Sequence, residues 1–145
     1  MRFMVIVKAS PESEAGKLPT AEQFAAMGKF NEELVNAGVL LAGEGLHPTS
    51  RGVRVHFSGD ERQLVHGPFA ATQELIAGYW LIDVPSRDEA IAWFMRCPKP
   101  MDSDSDIEIR QVYEAADFGD ALTPEVRAQE EALRERAAAQ HGQSG

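Results

Sequence analysis

Residues 66–98 read HGPFAATQELIAGYWLIDVPSRDEAIAWFMRCP, and the order of elements in this run decides the fold. It opens as a loop, continues as a strand and ends as a capped helix. Pro68 fixes its own φ and keeps Gly67 out of the α region, so Gly67-Pro68 forces a turn and Phe69 gives that turn an apolar anchor. From Ile76 to Val84 the chain is β-rich, with Tyr79 and Leu81 alternating with Trp80 and Ile82. Such a strand presents bulky apolar groups to both faces of a sheet, as a central strand does. Ser86 then caps a helix, with Glu89 at the capping-box position, and Ile91 and Phe94 face inward one turn apart. Pro98 and Pro100 end it.

On the N-terminal side, Arg2 to Lys8 alternates as a first strand with Phe3, Val5 and Val7 on one side. Ala9 to Pro19 is a polar connection. Thr20 and Gln23 form a capping box for a helix whose stripe is Phe24, Met27, Phe30 and Leu34, and Gly38 stops it. Val39 to Ala42 starts a second strand. Val53, Val55 and Phe57 alternate with Arg54 and His56 in a third, Ser58-Gly59-Asp60 turns the chain, and Gln63 to His66 forms a short return strand. Ile107 to Val112 is the last strand. The order β-α-β-β-(β)-α-β predicts an α+β, ferredoxin-like βαββαβ domain with an antiparallel sheet over residues 1–118. Residues 119–145 form a polar helical tail. Thr123 caps its helix and Pro124 begins it, but beyond Val126 and Leu133 the helix lacks an apolar stripe, so it is expected to be exposed. His141 to Gly145 are expected to be disordered.

Composition excludes several classes of function. A net charge of −9 argues against a nucleic-acid backbone or an anionic membrane as the main partner. No uncharged apolar run is long enough to span a bilayer. Cys97 is the lone cysteine, which excludes an intrachain disulfide, and with no export signal the expected compartment is the cytoplasm. Asp102-Ser103-Asp104-Ser105-Asp106 mimics the start of a calcium loop, but Ile107 and Tyr113 stand where that loop needs Gly and Glu. No zinc spacing, P-loop or dinucleotide fingerprint occurs, so neither metal nor cofactor is expected.

Strand alternation points to where function lies. Phe3, Val5, Val7, Val53, Val55, Phe57, Ile107 and Ile109 form an apolar set expected beneath two helices. The opposite set is mixed: Met4, Ile6 and Lys8, Arg54 and His56, Glu108 and Arg110. A sheet covered by helices on one side leaves that mixed face to another partner, and a symmetric dimer covers it while enclosing a chamber.

Gly43-Glu44-Gly45-Leu46, Pro48, Val53-Arg54, Gly67-Pro68-Phe69-Ala70, Thr72, Glu74, Gly78-Tyr79, Leu81-Ile82-Asp83, Cys97-Pro98, Glu108-Ile109-Arg110 and the ending from Glu114 to Gly119 together resemble the YCII-related family, in the branch often called DGPF proteins. The resemblance implies a dimeric α+β barrel, two ferredoxin-like units packed sheet to sheet. It also implies a link to extracytoplasmic-function sigma factors. His66 stands where the family usually has Asp, and Ala71 where it usually has a carboxylate, so an acid–base role for that loop does not transfer directly.

Arg54 and His56 lie two apart on one strand and share a face, where Arg54 suits a ligand carboxylate and His56 a proton transfer near neutral pH. The plainer reading pairs Arg54 with Glu108 and leaves His56 at the surface. His66 beside Asp83 or Glu74 offers an imidazole–carboxylate pair for general acid–base work, against a solvated loop histidine. Cys97 reads as packing rather than a nucleophile, because no activating partner is near in sequence. The sequence therefore predicts a homodimer holding an unknown small molecule. Arg54, Glu44, Tyr79, Trp80 and Glu108 are its candidate ligand groups, and His56, His66 and Asp83 the candidates for cofactor-free acid–base catalysis on a small carbonyl or carboxylate compound. The competing reading is a non-enzymatic regulatory module that docks a protein partner through the tail.

Overall fold

In the computed structural model, which describes residues 1–70 and 74–142, strand β1 (Arg2–Lys8) runs through the middle of the sheet. It buries Phe3, Val5 and Val7 on one face and leaves Met4, Ile6 and Lys8 half-buried on the other. Its neighbours are β5 (Ile76–Asp83) and β6 (Ile107–Gln111), both antiparallel to it, and β2 (Leu40–Gly45) pairs antiparallel with the outer edge of β5. The order β2-β5-β1-β6 is that of the ferredoxin-like βαββαβ fold. Helices α2 (Ala21–Asn36) and α3 (Arg87–Phe94) bury Phe30, Leu34, Ala90 and Phe94 against one side of this sheet. Phe3, Val5, Leu34 and Ile82 are the largest fully buried side chains. Burial of each contributes about 1.5–3 kcal/mol relative to exposure.

The helix ends form where local chemistry dictates. Thr20 Oγ1 accepts the Gln23 amide at 3.2 Å while Gln23 Oε1 accepts the Thr20 amide at 2.8 Å. Gly38 follows α2 with φ +72°, the left-handed conformation that glycine adopts without strain. Ser86 Oγ accepts the Glu89 amide. One helix was not anticipated: α1 (Pro11–Glu14) lies within the polar connection, capped reciprocally by Ser10 and Ser13. Two inward-facing assignments are corrected. Phe24 is 61% exposed, and on the short α3 it is Ala90 that is buried while Ile91 faces solvent.

A larger correction concerns the third strand. Val53, Val55 and Phe57 do not lie beneath the helices. Among the described residues, their strand β3 (Val53–Ser58) pairs only with β4 (Glu61–His66), as a two-stranded sheet separate from the four-stranded one. Every residue of this hairpin is exposed, Val55 at 51% and Phe57 at 63%. Both strands alternate with period two, and that period is the same in a hairpin as in a packed sheet. The core fold is thus βαββαβ with the hairpin inserted between its second and third strands.

An isolated hairpin is marginal in water, so its base must be held. The Gly67 amide donates to Gly52 O at 2.9 Å, closing the base. Phe69 N–H donates to Thr49 Oγ1 at 3.1 Å, and Thr49 Oγ1 in turn donates to Glu14 of α1. The Arg54 guanidinium stacks 3.9 Å above the Phe69 ring. These contacts bind the loop of the opening stretch to the turn Thr49–Arg51 and to α1.

The chain divides into two compact units after Val112. In the second, the Tyr113 and Phe118 rings lie 4.9 Å apart and the turn Ala115–Ala121 kinks at Gly119, whose φ is +59°. Helix α4 (Pro124–Gln140) starts as read from the sequence, with Thr123 Oγ1 accepting the Val126 amide. No residue of α4 is buried, and Val126 and Leu133 are both exposed. Of the terminal segment expected to be disordered, residues 143–145 lie outside the described residues.

Candidate functional site: a cleft on the helix side of the sheet

Strand register sorts the sequence-derived candidates by face. Glu44, Tyr79, Ile6 and Glu108 are successive cross-strand neighbours, so their side chains share the face away from the helices. Glu108 is engaged there by Lys8 at 3.6 Å and Arg110 at 3.8 Å, not by Arg54. Trp80 belongs to the opposite row, beside Val5, and is buried against Phe30 and Phe94. Its indole N–H donates to Asn31 Oδ1 at 2.8 Å.

Arg54, His56 and His66 stand on the hairpin, not on the open face of the four-stranded sheet. His56 is opposite Gln63 and His66 opposite Val53. Asp83 ends β5, where it accepts the Met1 amine at 3.1 Å. The structure therefore places Glu44 beside Tyr79, puts Glu108 in the same cross-strand row beyond Ile6, and sets the three hairpin residues in a different element. Glu74 is exposed; Ala71 and Thr72 lie outside the described residues.

What the alternation did not reveal is a cleft of about 850 Å³ on the helix side, within the range of small-molecule sites. Its floor is the β2–β5 edge, where Gly43, Gly45 and Gly78 project no side chain into the space. Phe24, Met27, Gly28 and Asn31 of α2 form one wall, and the loop Leu46–Arg51 forms the rim. Glu44 and Tyr79 also border the cleft, although the pleat turns their side chains to the other face.

The far wall is stitched together by polar contacts. Asp102 accepts Lys17 Nζ at 2.9 Å and Gln23 Nε2 at 2.6 Å, and Ser10 Oγ donates to Met101 Sδ at 3.4 Å. The hydrogen bond from Lys17 holds the Asp102 carboxyl below its ordinary value of 3.8, and the same bond raises Lys17. The first aspartate of the acidic stretch thus has a structural task. No group of His, Cys, Asp and Glu suited to a metal ion occurs among the described residues.

The glycines of the cleft have different reasons. A Cβ on Gly78 would stand 2.8 Å from Glu44 O, and one on Gly43 3.2 Å from Trp80 Cδ1. A Cβ on Gly28 or Gly45 would meet nothing within 4 Å, and neither residue has a positive φ. Gly28 nevertheless sits inside α2, where glycine costs about 1 kcal/mol relative to alanine.

At the rim, Arg51 Nη1 lies 3.1–3.2 Å from both ring nitrogens of His47. No carboxylate pairs with Arg51 among the described residues.

Cys97 is not part of this site. Burial pushes its thiol up from 9.0 to about 11, with Sγ 3.3 Å from Pro98 O. The folded state therefore favours the neutral thiol; this contribution is complete below pH 9.0 and fades as pH rises toward 11. Iodoacetamide at pH 7.5 should alkylate the folded chain at least roughly tenfold more slowly than the urea-unfolded chain, because only thiolate reacts. Equal rates would show that the fold does not suppress this thiol.

The fold and the cleft together define a class: a ferredoxin-like α+β protein with an inserted hairpin and a glycine-floored cleft. Residues 1–116 match the YCII-related domain, and the chain belongs to that family. It is also similar to an uncharacterised protein of Rhizobium meliloti (strain 1021), 40% identical over 57 residues, or 39% of this chain and 46% of that protein. The match thus spans about half the length of that relative. Among the described residues, no helix is long and apolar enough to cross a membrane.

Proposed function

We propose that this protein is a small-molecule-binding homodimer whose ligand sits in the helix-side cleft of each subunit. The observation that carries the reading is the cleft itself, about 850 Å³ with a floor containing Gly43, Gly45 and Gly78 and a largely apolar lining. Pockets of this kind, with a few polar groups at the rim, are the usual form of a ligand site.

Dimerisation draws on two further features. Met4, Ile6, Tyr79 and Leu81 are half-buried on the uncovered sheet face, and Val55, Phe57 and Leu64 are exposed on the hairpin. A second copy covers such surfaces symmetrically. Glu44, Tyr79 and Glu108 then meet their counterparts between the sheets, in the chamber anticipated from the alternation. The chemistry open to such a site is cofactor-free proton transfer on a small carbonyl or carboxylate compound, with Arg54, His56, His66 and Asp83 outside the cleft and His47 the imidazole at its rim. Location in the cytoplasm belongs to the same reading.

An amide-resolved NMR and thermal-shift screen of carbonyl and carboxylate compounds against the full chain tests this. Hits are expected to move resonances of residues 18–31 and 40–51; a flat response across the library removes the ligand. Sedimentation should give a dimer that Leu81→Glu converts to monomer, and a wild-type monomer removes the interface. The rival reading, a docking module linked to an extracytoplasmic-function sigma factor, draws on the exposed α4. Deleting residues 123–145 should leave small-molecule binding intact on the reading preferred here.

A further inference from the structure

Gly28 and Gly45 demand an explanation that neither backbone nor packing provides. Neither has the positive φ that favours glycine, and a Cβ at either position meets nothing within 4 Å. Gly28 is moreover in a helix interior, where glycine is disfavoured. Both border the cleft, one on the α2 wall and one on the β2 floor. In a strand, a glycine of this kind marks a place where another group approaches the backbone closely. A flat group fits, since it can lie along the bare strip at Gly45 and Gly78, with Val7 and Trp80 bordering that strip.

The cleft's rim supplies the other half of the description. Phe24 is 61% exposed and Leu46 50%, apolar surfaces that a ring-bearing ligand would cover. Arg51 stands on the same rim with one amino group directed at His47 and, among the described residues, no partner for the rest of its donor fork. That fork matches a carboxylate in two-point geometry. Lys17 does not compete for the role, because it already holds Asp102.

Resting on the reading of the cleft as the ligand site, we infer that its ligand is a planar aromatic carboxylic acid. The ring lies over Gly45 and against Gly28, and the acid group is held by Arg51. Gly28 and Gly45 set the shape specificity and Arg51 the charge specificity.

The matched probes are 2-naphthoate and its neutral amide, 2-naphthamide, titrated into the isotopically labelled full chain. Naphthoate should shift the amides of Gly28 and Gly45 and bind at least roughly tenfold more tightly than naphthamide, as expected for loss of one charge-assisted contact. Arg51→Gln should abolish that preference. Gly45→Val should abolish binding of both probes, and Gly28→Val on the helix should do the same; if one variant fails to fold, the other decides. Equal affinity for acid and amide, unchanged in Arg51→Gln, overturns the role of Arg51. Wild-type affinity in a folded Gly28→Val or Gly45→Val chain overturns the slot. The general screen separates the two levels: hits in the cleft without any response to naphthoate sink the aromatic-acid assignment alone, whereas no hits at all removes the cleft reading as well.

Discussion

Replacing Gly67 by alanine is expected to destabilise the chain by about 3 kcal/mol or more and to lower its melting temperature by roughly 10 °C. An alanine Cβ there would overlap the Thr49 carbonyl oxygen and stand 2.7 Å from its carbon. Neither atom can move cheaply. Thr49 O accepts the Gly52 amide at 2.9 Å, and Gly52 O accepts the Gly67 amide at 2.9 Å, so obstacle and intruder are tied into one small hydrogen-bonded ring. Pushing them apart breaks the base of the hairpin. It also lengthens the Phe69 bond to Thr49 Oγ1 and lifts Phe69 from beneath Arg54. Limited proteolysis of the variant should accordingly reveal new cleavage between Gly52 and Phe69. A melting temperature within a degree or two of wild type, with an unchanged digestion pattern, would show that the loop accommodates a methyl group and that its docking is not tight.

The same loop shows how much was legible in the sequence. Gly67-Pro68 announces a turn, and Phe69 its anchor, through constraints that act within three residues. The caps Thr20 and Ser86 were legible for the same reason: Thr20 and Gln23 form the reciprocal box as read, whereas Ser86 caps the Glu89 amide without a return bond from the Glu89 side chain. Ser10-Pro11-Glu12-Ser13 carried an equally local signal for α1 that a reading of the segment as simply polar passes over. Non-local facts were harder. Alternation in Val53–Ser58 marks a strand, yet it cannot say whether that strand meets a sheet or only its own return partner. Arg54 and His56 were assigned to the open face on that uncertain step, whereas Glu44, Tyr79 and Glu108 were placed by strands that do join the sheet. The cleft was hidden most deeply. It is made of glycines at 28, 45 and 78 and of loops far apart in sequence, and an absence of side chains leaves no hydrophobic pattern. The one available clue was Gly28 inside an otherwise strong helix, a residue with a cost and no visible local return.

Trp80→Ala is expected to remove about 3–5 kcal/mol, measured by urea unfolding, because it empties the centre of an aromatic cluster. The indole packs 5.1 Å from the Phe94 ring and 6.4 Å from the Phe30 ring, at the junction of β5 with both helices. Trp80→Phe separates packing from hydrogen bonding at the same position. It keeps most of the ring contact but deletes the 2.8 Å bond to Asn31. Asn31 borders the open cleft, so water can satisfy the orphaned oxygen, and the loss should be nearer 1 kcal/mol. If Trp80→Phe fell as far as Trp80→Ala, the polar contact would be holding α2 over the floor, and the aromatic cluster would be secondary. The expected order has a functional meaning: the base of the cleft is kept in place from behind, by rings in the core. The β2–β5 edge can then carry glycines at 43, 45 and 78, because the ladder between the two strands and the ring of Trp80 hold it without their side chains.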